Sequence, residues 1–427
     1  MPNRLSRFAE GVMEACWLLA LVVTPLFFDI FSARVFEPDK ITLLRSLALV
    51  ALAAWLVKLI SEGGPRFEPV RSQYASARGF LRVPLVIPVI ALVTVYVIAT
   101  IFSVSPYASL YGSYQRLQGT FTTFSYLVLF AVLVANLRRR SQIDRAITLA
   151  IVCSLPASLY GILQHFRQDP LPWGGDTVER VTGSMGNAIF LAAYLIMTAP
   201  VALARVVTSF HGILTDEEPG RLVFNVVRAA IYIFIFAVNL VAIWYTASRG
   251  PWLGLLAGFF IFFVLLSLHW RARTLTLITI GLAGVMAVFL VLLNIPNGPL
   301  EAVRELPGVG RLGNVFETEG GTGKVRVLIW EGVVKLVLPH PPITQPDGTA
   351  DRWNVLRPLI GYGPEGLYVA YNRFYPPDLA HLEARNASPD RSHNETWDAL
   401  AFTGLLGLVA YLMLFVAVFY YALKWLG

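Results

Sequence analysis

An all-helical polytopic membrane protein is the fold class this sequence predicts, on three observations. Its 427 residues are 56% hydrophobic and only 14% charged, with a mean hydropathy of +0.62. Soluble domains carry about 25% charged residues, and a water-soluble core does not absorb this much apolar surface at such a length. Ten apolar runs reach about 20 residues, the length that crosses a bilayer as a helix. Lys and Arg are dense in every second connection between those runs and sparse in the others. Disordered, collagen-like and disulfide-stapled classes are excluded by the charge, the glycine spacing and the two cysteines, Cys16 and Cys153, both inside apolar runs. The net charge of +7 is dispersed between runs, which reads as topology determinants and not as a nucleic-acid surface.

The runs cover about 12–31, 40–60, 83–104, 118–137, 145–164, 186–208, 225–246, 250–269, 274–293 and 397–425. Helices are required because lipid satisfies no backbone polar group. The start, "MPNRLSRFAEGVMEACWLLALVV", is basic and then apolar in the manner of a signal peptide. The apolar stretch continues to Phe31 with no small-residue cleavage site, so it reads as a retained first span. Pro25, Pro84, Pro88, Pro156 and Pro200 lie in or beside runs and are candidate kinks. No internal repeat is evident, nor the pair of matched broken helices that marks transporters.

Orientation follows from the basic residues. With a cytoplasmic N-terminus, the inside segments hold seventeen: Arg4, Arg7, Lys58, Arg66, Arg71, Arg78, Arg82, Arg138, Arg139, Arg140, Arg145, Arg205, Arg221, Arg228, Arg271, Arg273 and Lys424. The short outside segments hold seven: Arg34, Lys40, Arg45, Arg116, Arg167, Arg180 and Arg249. The chain therefore divides into a bundle of nine spans over 1–293, an extracytoplasmic loop over 294–396, and a last span over 397–427. The loop is far longer than ordinary connections. Within it "GKVRVLIWEGVVKLV" places Ile329, Val333, Leu336 and Val337 at helical spacing, with Lys324, Arg326, Glu331 and Lys335 on the other faces. That helix either lies on the membrane surface or folds over the bundle, and the Pro-rich "LPHPPITQPDG" ends it.

Polar residues at the outer ends of the spans stand out because the charge rule disfavours arginine there. Arg116 lies in "GSYQRLQGTFTTFSYL", Arg180 in "ERVTGSMGNAIFLAAYL", and Arg249 in the tight turn "TASRGP". Arg326 is on the loop helix, and His393 is in "DRSHNETWDALAFTGLLGLVAYL". Singly, such an arginine also serves by snorkelling to headgroup phosphate, and such a histidine by structural hydrogen bonding. Together they form an anion site: guanidinium groups grip phosphate oxygens in bidentate fashion, and histidine exchanges a proton near physiological pH. HExxH, CxxC, DxD, GxSxG and P-loop patterns are missing, so a protein-bound metal or nucleotide finds no sequence support. "GVGRLGNVF" and "GYGPEGL" are glycine-bearing loops without the strand–turn–helix context of a nucleotide site.

The pieces "SRGPWLGLLAG", "GTGKVRVLIWEGVVKLV", "LIGYGPEGL" and "RSHNETWDALAFTGLLGLVAYL", in that order, resemble the O-antigen ligase and polymerase superfamily of bacterial membrane glycosyltransferases. "YGSYQRLQGTFTTFSYL" and "RVTGSMGNAIFLAAYL" resemble its large ligase-like subgroup, and the resemblance runs from about residue 100 to the end. It implies a GT-C-like helical enzyme of the bacterial inner membrane, with its site on the periplasmic face. The implied donor is a glycan on undecaprenyl diphosphate, and the implied acceptor is lipid A–core. A second lipid-linked repeat, or a protein hydroxyl as in protein O-oligosaccharyltransferases, are the same-class alternatives. Neither a cofactor nor a metal is implied. The family's histidine falls on His393, its loop arginine on Arg326 and its turn arginine on Arg249. A further family arginine falls on Arg180 or Arg116, and Asn394 and Glu395 stand beside the histidine. Tyr371 and Tyr375 are open to sugar stacking or to core packing. Family members carry a further span after the segment matching the last one here, so the resemblance predicts a chain shorter than the family's full length. A reading of another class is a transporter of inorganic carbon or another anion, which would place ionisable residues at mid-membrane.

Overall fold

The computed structural model describes residues 3–64, 81, 83–171, 177–216, 218–306, 308–315, 321–344, 348–385 and 387–426. Arg66, Arg71, Arg78 and Arg82, four of the basic residues expected on the inside, lie outside the described residues. Among the described residues the structure is helical and holds no strand, apart from one antiparallel bridge between Thr344 and Ala350. The principal helices are α1 (Arg4–Leu26), α2 (Pro38–Ser61), α3 (Val86–Ile101), α4 (Thr120–Asn136), α5 (Arg140–His165) and α6 (Ala188–Thr215). They continue as α7 (Pro219–Tyr245), α8 (Arg249–His269), α9 (Arg273–Leu293), α10 (Gly321–Val337) and α11 (Glu395–Leu426). Eight are long and apolar enough to cross a membrane: α1, α2, α5 to α9, and α11.

Each of the ten apolar runs becomes a helix. α3 and α4 are shorter, at 16 and 17 residues, about 24–26 Å at 1.5 Å per residue, against a hydrocarbon core of about 30 Å. Local chemistry trims α3: Ser105 precedes Pro106, which opens the short helix Pro106–Tyr111. Pro25, Pro156 and Pro200 sit inside continuous α1, α5 and α6. α6 begins on an Asn187 cap, whose side chain accepts from the Ile189 N–H at 2.8 Å.

Contacts divide the chain into two compact units, each discontinuous in sequence. Unit 1 comprises Met1–Met13, Ala48–Val132 and Glu317–Gly427. Its core is built on α10: Leu328, Ile329, Val333 and Leu336 are buried against Tyr362, Leu367, Tyr371, Leu379 and Ala401. Each fully buried side chain of this size is worth about 1.5–3 kcal/mol. The amphipathic stripe read from the sequence is thus spent on the loop's own core and on the start of α11.

The last helix is broken. At Gly404 the backbone turns left-handed (φ 67°), so α11 is two helical segments meeting at a kink. Such a break strips carbonyls of the preceding turn of their intrahelical donors. Two are taken by the loop: Tyr362 N–H donates to the Ala401 carbonyl at 2.8 Å, and Gly363 N–H to that of Phe402 at 2.9 Å. The approach is that of backbone on backbone. A Cβ on Gly404 would stand 2.3 Å from the Leu359 carbonyl carbon, and one on Gly361 2.4 Å from that of Phe402.

A buried ion pair anchors the other side of this loop. Arg357 donates to both Asp351 oxygens, at 2.7 and 2.8 Å, and to the carbonyls of Phe102 (2.6 Å) and Gly361 (2.9 Å). Burial alone would raise the Asp351 carboxyl, but the hydrogen bonds and charge of Arg357 hold it below the usual carboxylate range.

Unit 2 comprises Glu14–Leu47 and Leu133–Phe316, and holds α5 to α9. Its core joins Ala157, Val181, Leu191, Leu195, Ala242, Ile243 and Trp252. Polar contact between α5 and α7 is neutral and closed: Asn239 donates to Ser154 at 2.9 Å and accepts from Ser158 at 2.8 Å.

Candidate active site

His393 lies in unit 1 on the strap that leads into α11. The strap is tied by the residues on either side of the histidine. Ser392 is fully buried; its N–H donates to Asp398 Oδ1 at 2.7 Å, and its carbonyl accepts from the Trp330 indole of α10 at 2.9 Å. Asn394 caps α11, its side-chain oxygen accepting from the N–H groups of Thr396 (3.0 Å) and Trp397 (3.3 Å). Between these fixed points His393 takes a left-handed conformation (φ 56°) that non-glycine residues seldom adopt, and the residue reaches solvent while part of it is packed. Backbone strain of this kind, about 1–3 kcal/mol, persists only where the surroundings impose it.

Arg116 approaches from the loop before α4. That loop is stapled by Glu365 of the "GYGPEGL" segment, whose two carboxylate oxygens accept from the N–H groups of Gln118 (2.7 Å) and Ser113 (2.5 Å). Ser109 Oγ adds a bond to the Pro364 carbonyl at 2.7 Å. "GYGPEGL" is therefore a scaffold for the Arg116 loop and for α11: Gly361 lets the α11 backbone approach, and Gly363 leaves room for the Ser103 and Ser109 hydroxyls. Arg116 itself forms an ion pair with Asp390, on the same strap as His393.

Arg326 is exposed on α10. Its charge, after desolvation, is the main influence lowering the His393 imidazole below its ordinary value; Arg116 acts in the same direction, and Asp390 and Asp398 oppose both. The imidazole is thus biased toward the neutral, proton-accepting form by desolvation and by the charge of two guanidinium groups. Unit 1 brings together His393, Asn394, Arg116 and Arg326. Tyr371 is fully buried and donates to the Ile329 carbonyl at 3.3 Å, so it belongs to the core; Tyr375 packs on the same cluster.

Arg180 and Arg249 belong to unit 2. Ala247 turns left-handed (φ 47°) between α7 and α8, which makes the turn tight enough to start α8 at Arg249. Arg249 Nη1 donates to the Asn314 carbonyl at 2.5 Å, and Arg180 Nη2 to Ser248 Oγ at 3.4 Å. The Arg180 segment is pinned by Gln164, whose side-chain oxygen accepts from Thr182 N–H (3.1 Å) and Gly183 N–H (2.8 Å). Among the described residues, no group of three His, Cys, Asp or Glu side chains is placed to hold a metal.

Asp390, Asp398, Glu365 and Trp330 were not singled out from the sequence, although the first two flank the histidine in "DRSHNETWD". An acid on each side of a candidate base is the signal that would have found them. Compared with protein-family models, with curated proteins and with solved structures, the chain matches none.

Proposed function

We propose that this protein is a membrane glycosyltransferase that moves a glycan from undecaprenyl diphosphate to an acceptor hydroxyl at the outer face of a bacterial inner membrane. The observation that carries the reading is the strap: a strained, solvent-reaching His393 held toward its neutral form, within the electrostatic reach of Arg326 and Arg116. That pairing of a proton acceptor with fixed cations suits displacement of an anionic leaving group. The acceptor oxygen attacks the anomeric carbon while the bond from that carbon to the diphosphate oxygen breaks. The diphosphate departs with the electron pair, the hydroxyl proton passes to the His393 imidazole, and the anomeric configuration inverts. Arg326 and Arg116 offset charge that grows on the leaving group, and Asn394 holds the histidine's turn. Arg249 and Arg180 are assigned to binding of phosphate-class anions in unit 2.

A GT-C-like arrangement of ten spans, with the N-terminus cytoplasmic and the loop periplasmic, belongs to this proposal. A transporter reading expects ionisable groups inside the spans. The Ser154–Asn239–Ser158 contact between α5 and α7 holds none, while Glu14–Arg145 and Asp144–Arg205 are ion pairs among α1, α5 and α6, so the transfer assay and not the composition of the spans separates the two readings.

The test is transfer by the purified protein from lipid-diphosphate-linked glycan to lipid A–core, to a second lipid-linked repeat, and to a pilin-type protein hydroxyl. Transfer to one of the three names the acceptor class. Replacing His393 by alanine is expected to lower that rate by about 10²–10⁴-fold while donor binding survives. A folded protein that transfers to none of them refutes the proposal.

A further inference from the structure

Two arginines of unit 2 that the reading above leaves unused, Arg304 and Arg311, converge on the same place as Arg249. Arg304 Nε and Nη2 donate to the Asn314 side-chain oxygen at 3.2 and 2.5 Å, while Arg249 Nη1 donates to the Asn314 carbonyl. One neutral asparagine therefore anchors two guanidinium groups. Arg311 Nη1 donates to the Ala247 carbonyl at 3.2 Å, in the turn that Arg249 immediately follows. These acceptors are all uncharged. Among the described residues, neither Arg249 nor Arg311 forms an ion pair. Arg304 has Glu301 at 3.9 Å, and the Glu301 Oε2 atom is buried without a hydrogen-bond partner, so that contact is charge without a bond.

Like charges gathered on partly buried neutral acceptors repel one another, and the repulsion grows as water is excluded. The fold nevertheless holds them rigidly. Asn294, just past α9, donates to the Leu312 carbonyl at 2.8 Å and accepts from Val315 N–H at 2.9 Å, fixing the segment on both sides of Asn314. Gly313 is the residue that lets the Arg304 stem lie flat: a Cβ there would stand 2.6 Å from Arg304 Cγ. Each guanidinium spends one edge on these anchors, and the Nε and Nη2 donors of Arg311 make no bond among the described residues. A preorganised set of three cations with donors to spare, against which the described residues set one carboxylate, Glu301 at 3.9 Å from Arg304, is what a polyanionic ligand requires.

We propose that Arg249, Arg304 and Arg311 form a binding site for a diphosphate group. The assignment rests on the reading of Arg249 as an anion ligand and adds two residues to it. A diphosphate fits better than a monophosphate because it offers more oxygens and more charge to three separate guanidinium groups. The same chemistry comes as free inorganic pyrophosphate or as the headgroup of a diphosphate lipid, and the two are separable by experiment.

The test uses the full chain in neutral, phosphate-free detergent. Calorimetric titration with inorganic pyrophosphate, inorganic phosphate and farnesyl diphosphate is expected to give binding in which both diphosphates exceed phosphate. Tighter farnesyl diphosphate than pyrophosphate assigns the site to a lipid headgroup; equal affinities assign it to a soluble diphosphate. Arg304→Gln and Arg311→Gln are each expected to weaken pyrophosphate at least tenfold, with Arg311→Lys within about threefold of wild type. Because Arg304 and Arg311 also tie backbone segments, a second measurement keeps the wild-type chain. Phenylglyoxal modification mapped by mass spectrometry is expected to show pyrophosphate protecting Arg304 and Arg311 and leaving Arg221 unprotected. Unchanged affinity in folded variants, no protection of the two arginines, or phosphate binding as tightly as pyrophosphate overturns the proposal. Its failure is distinct from failure of the enzymatic reading. Glycan transfer that survives both glutamine variants removes this site alone, and diphosphate binding without transfer to any acceptor removes only the glycosyltransferase.

Discussion

Replacing Asp351 by alanine leaves the Arg357 guanidinium charged in a place where its side chain is 2% exposed and its carboxylate partner was 3% exposed. Three features set the magnitude. Two charge-assisted bonds of 2.7 and 2.8 Å are lost, the site is nearly closed to solvent, and the bonds left to Arg357, to the Phe102 and Gly361 carbonyls, are with neutral groups. Breaking one side of a buried pair costs about 3–5 kcal/mol, mostly the uncompensated charge. At about 2–4 °C per kcal/mol for a unit of this size, the unfolding midpoint is expected to fall by about 6–20 °C. The assay is thermal unfolding in detergent, followed by the near-ultraviolet signal of the loop tryptophans and tyrosines. The double variant Asp351→Leu, Arg357→Met removes both charges and is expected to recover most of the loss, since apolar replacement of a buried pair is often neutral or stabilising. A single variant within about 1 kcal/mol of wild type would refute the reasoning, because Arg357 would then have another counter-charge.

If His393 is the base, it must be neutral to accept a proton. Desolvation and Arg326 lower its pKa, so the acid limb of kcat/KM is expected below about 6.5. Arg326→Gln removes a cation and is expected to move that limb to higher pH. Asp390→Asn removes an opposing carboxylate and is expected to move it lower; shifts in the other directions would exclude His393 as the group observed. Gly404→Ala forces a Cβ into the Leu359 backbone at φ 67° and ψ −169°, a conformation essentially confined to glycine that alone costs about 1–3 kcal/mol, so a lower unfolding midpoint is expected in a thermal scan. Asn394→Ala removes the α11 cap and is expected to cost about 0.5–2 kcal/mol in that scan and to lower transfer by loosening the strap.

The helices were legible because a bilayer imposes a length and an apolar composition that few other demands produce. Their ends were not. α1 begins at Arg4, ahead of the apolar run at 12, and α7 at Pro219, ahead of 225, because a polar first turn is as helical as an apolar one and hydropathy does not register it. The break at Gly404 was also hidden: a glycine in a membrane helix is unremarkable until a second backbone is known to press on it. In the candidate site, the arginines and histidine were visible as charges on the wrong side of an expected boundary. The partner of Arg116 was not, since Asp390 lies 274 residues away in sequence, whereas the two acids facing His393 stand in its own segment. Asn314 is further hidden by being neutral, although it anchors two guanidinium groups.

The seam between the "GYGP" segment and α11 is made of amide and carbonyl groups, with glycine on each side. Its hydrogen bonds take only the carbonyls of Ala401 and Phe402, and the side-chain constraint at Ala401 comes separately, from its burial in the core with Tyr362. The bonds themselves therefore survive a change of side chain at 401 or 402, while positions 361 and 404 admit none. Homologous chains that share this attachment would therefore be found through a pair of glycines about forty residues apart in sequence, with diverging neighbours.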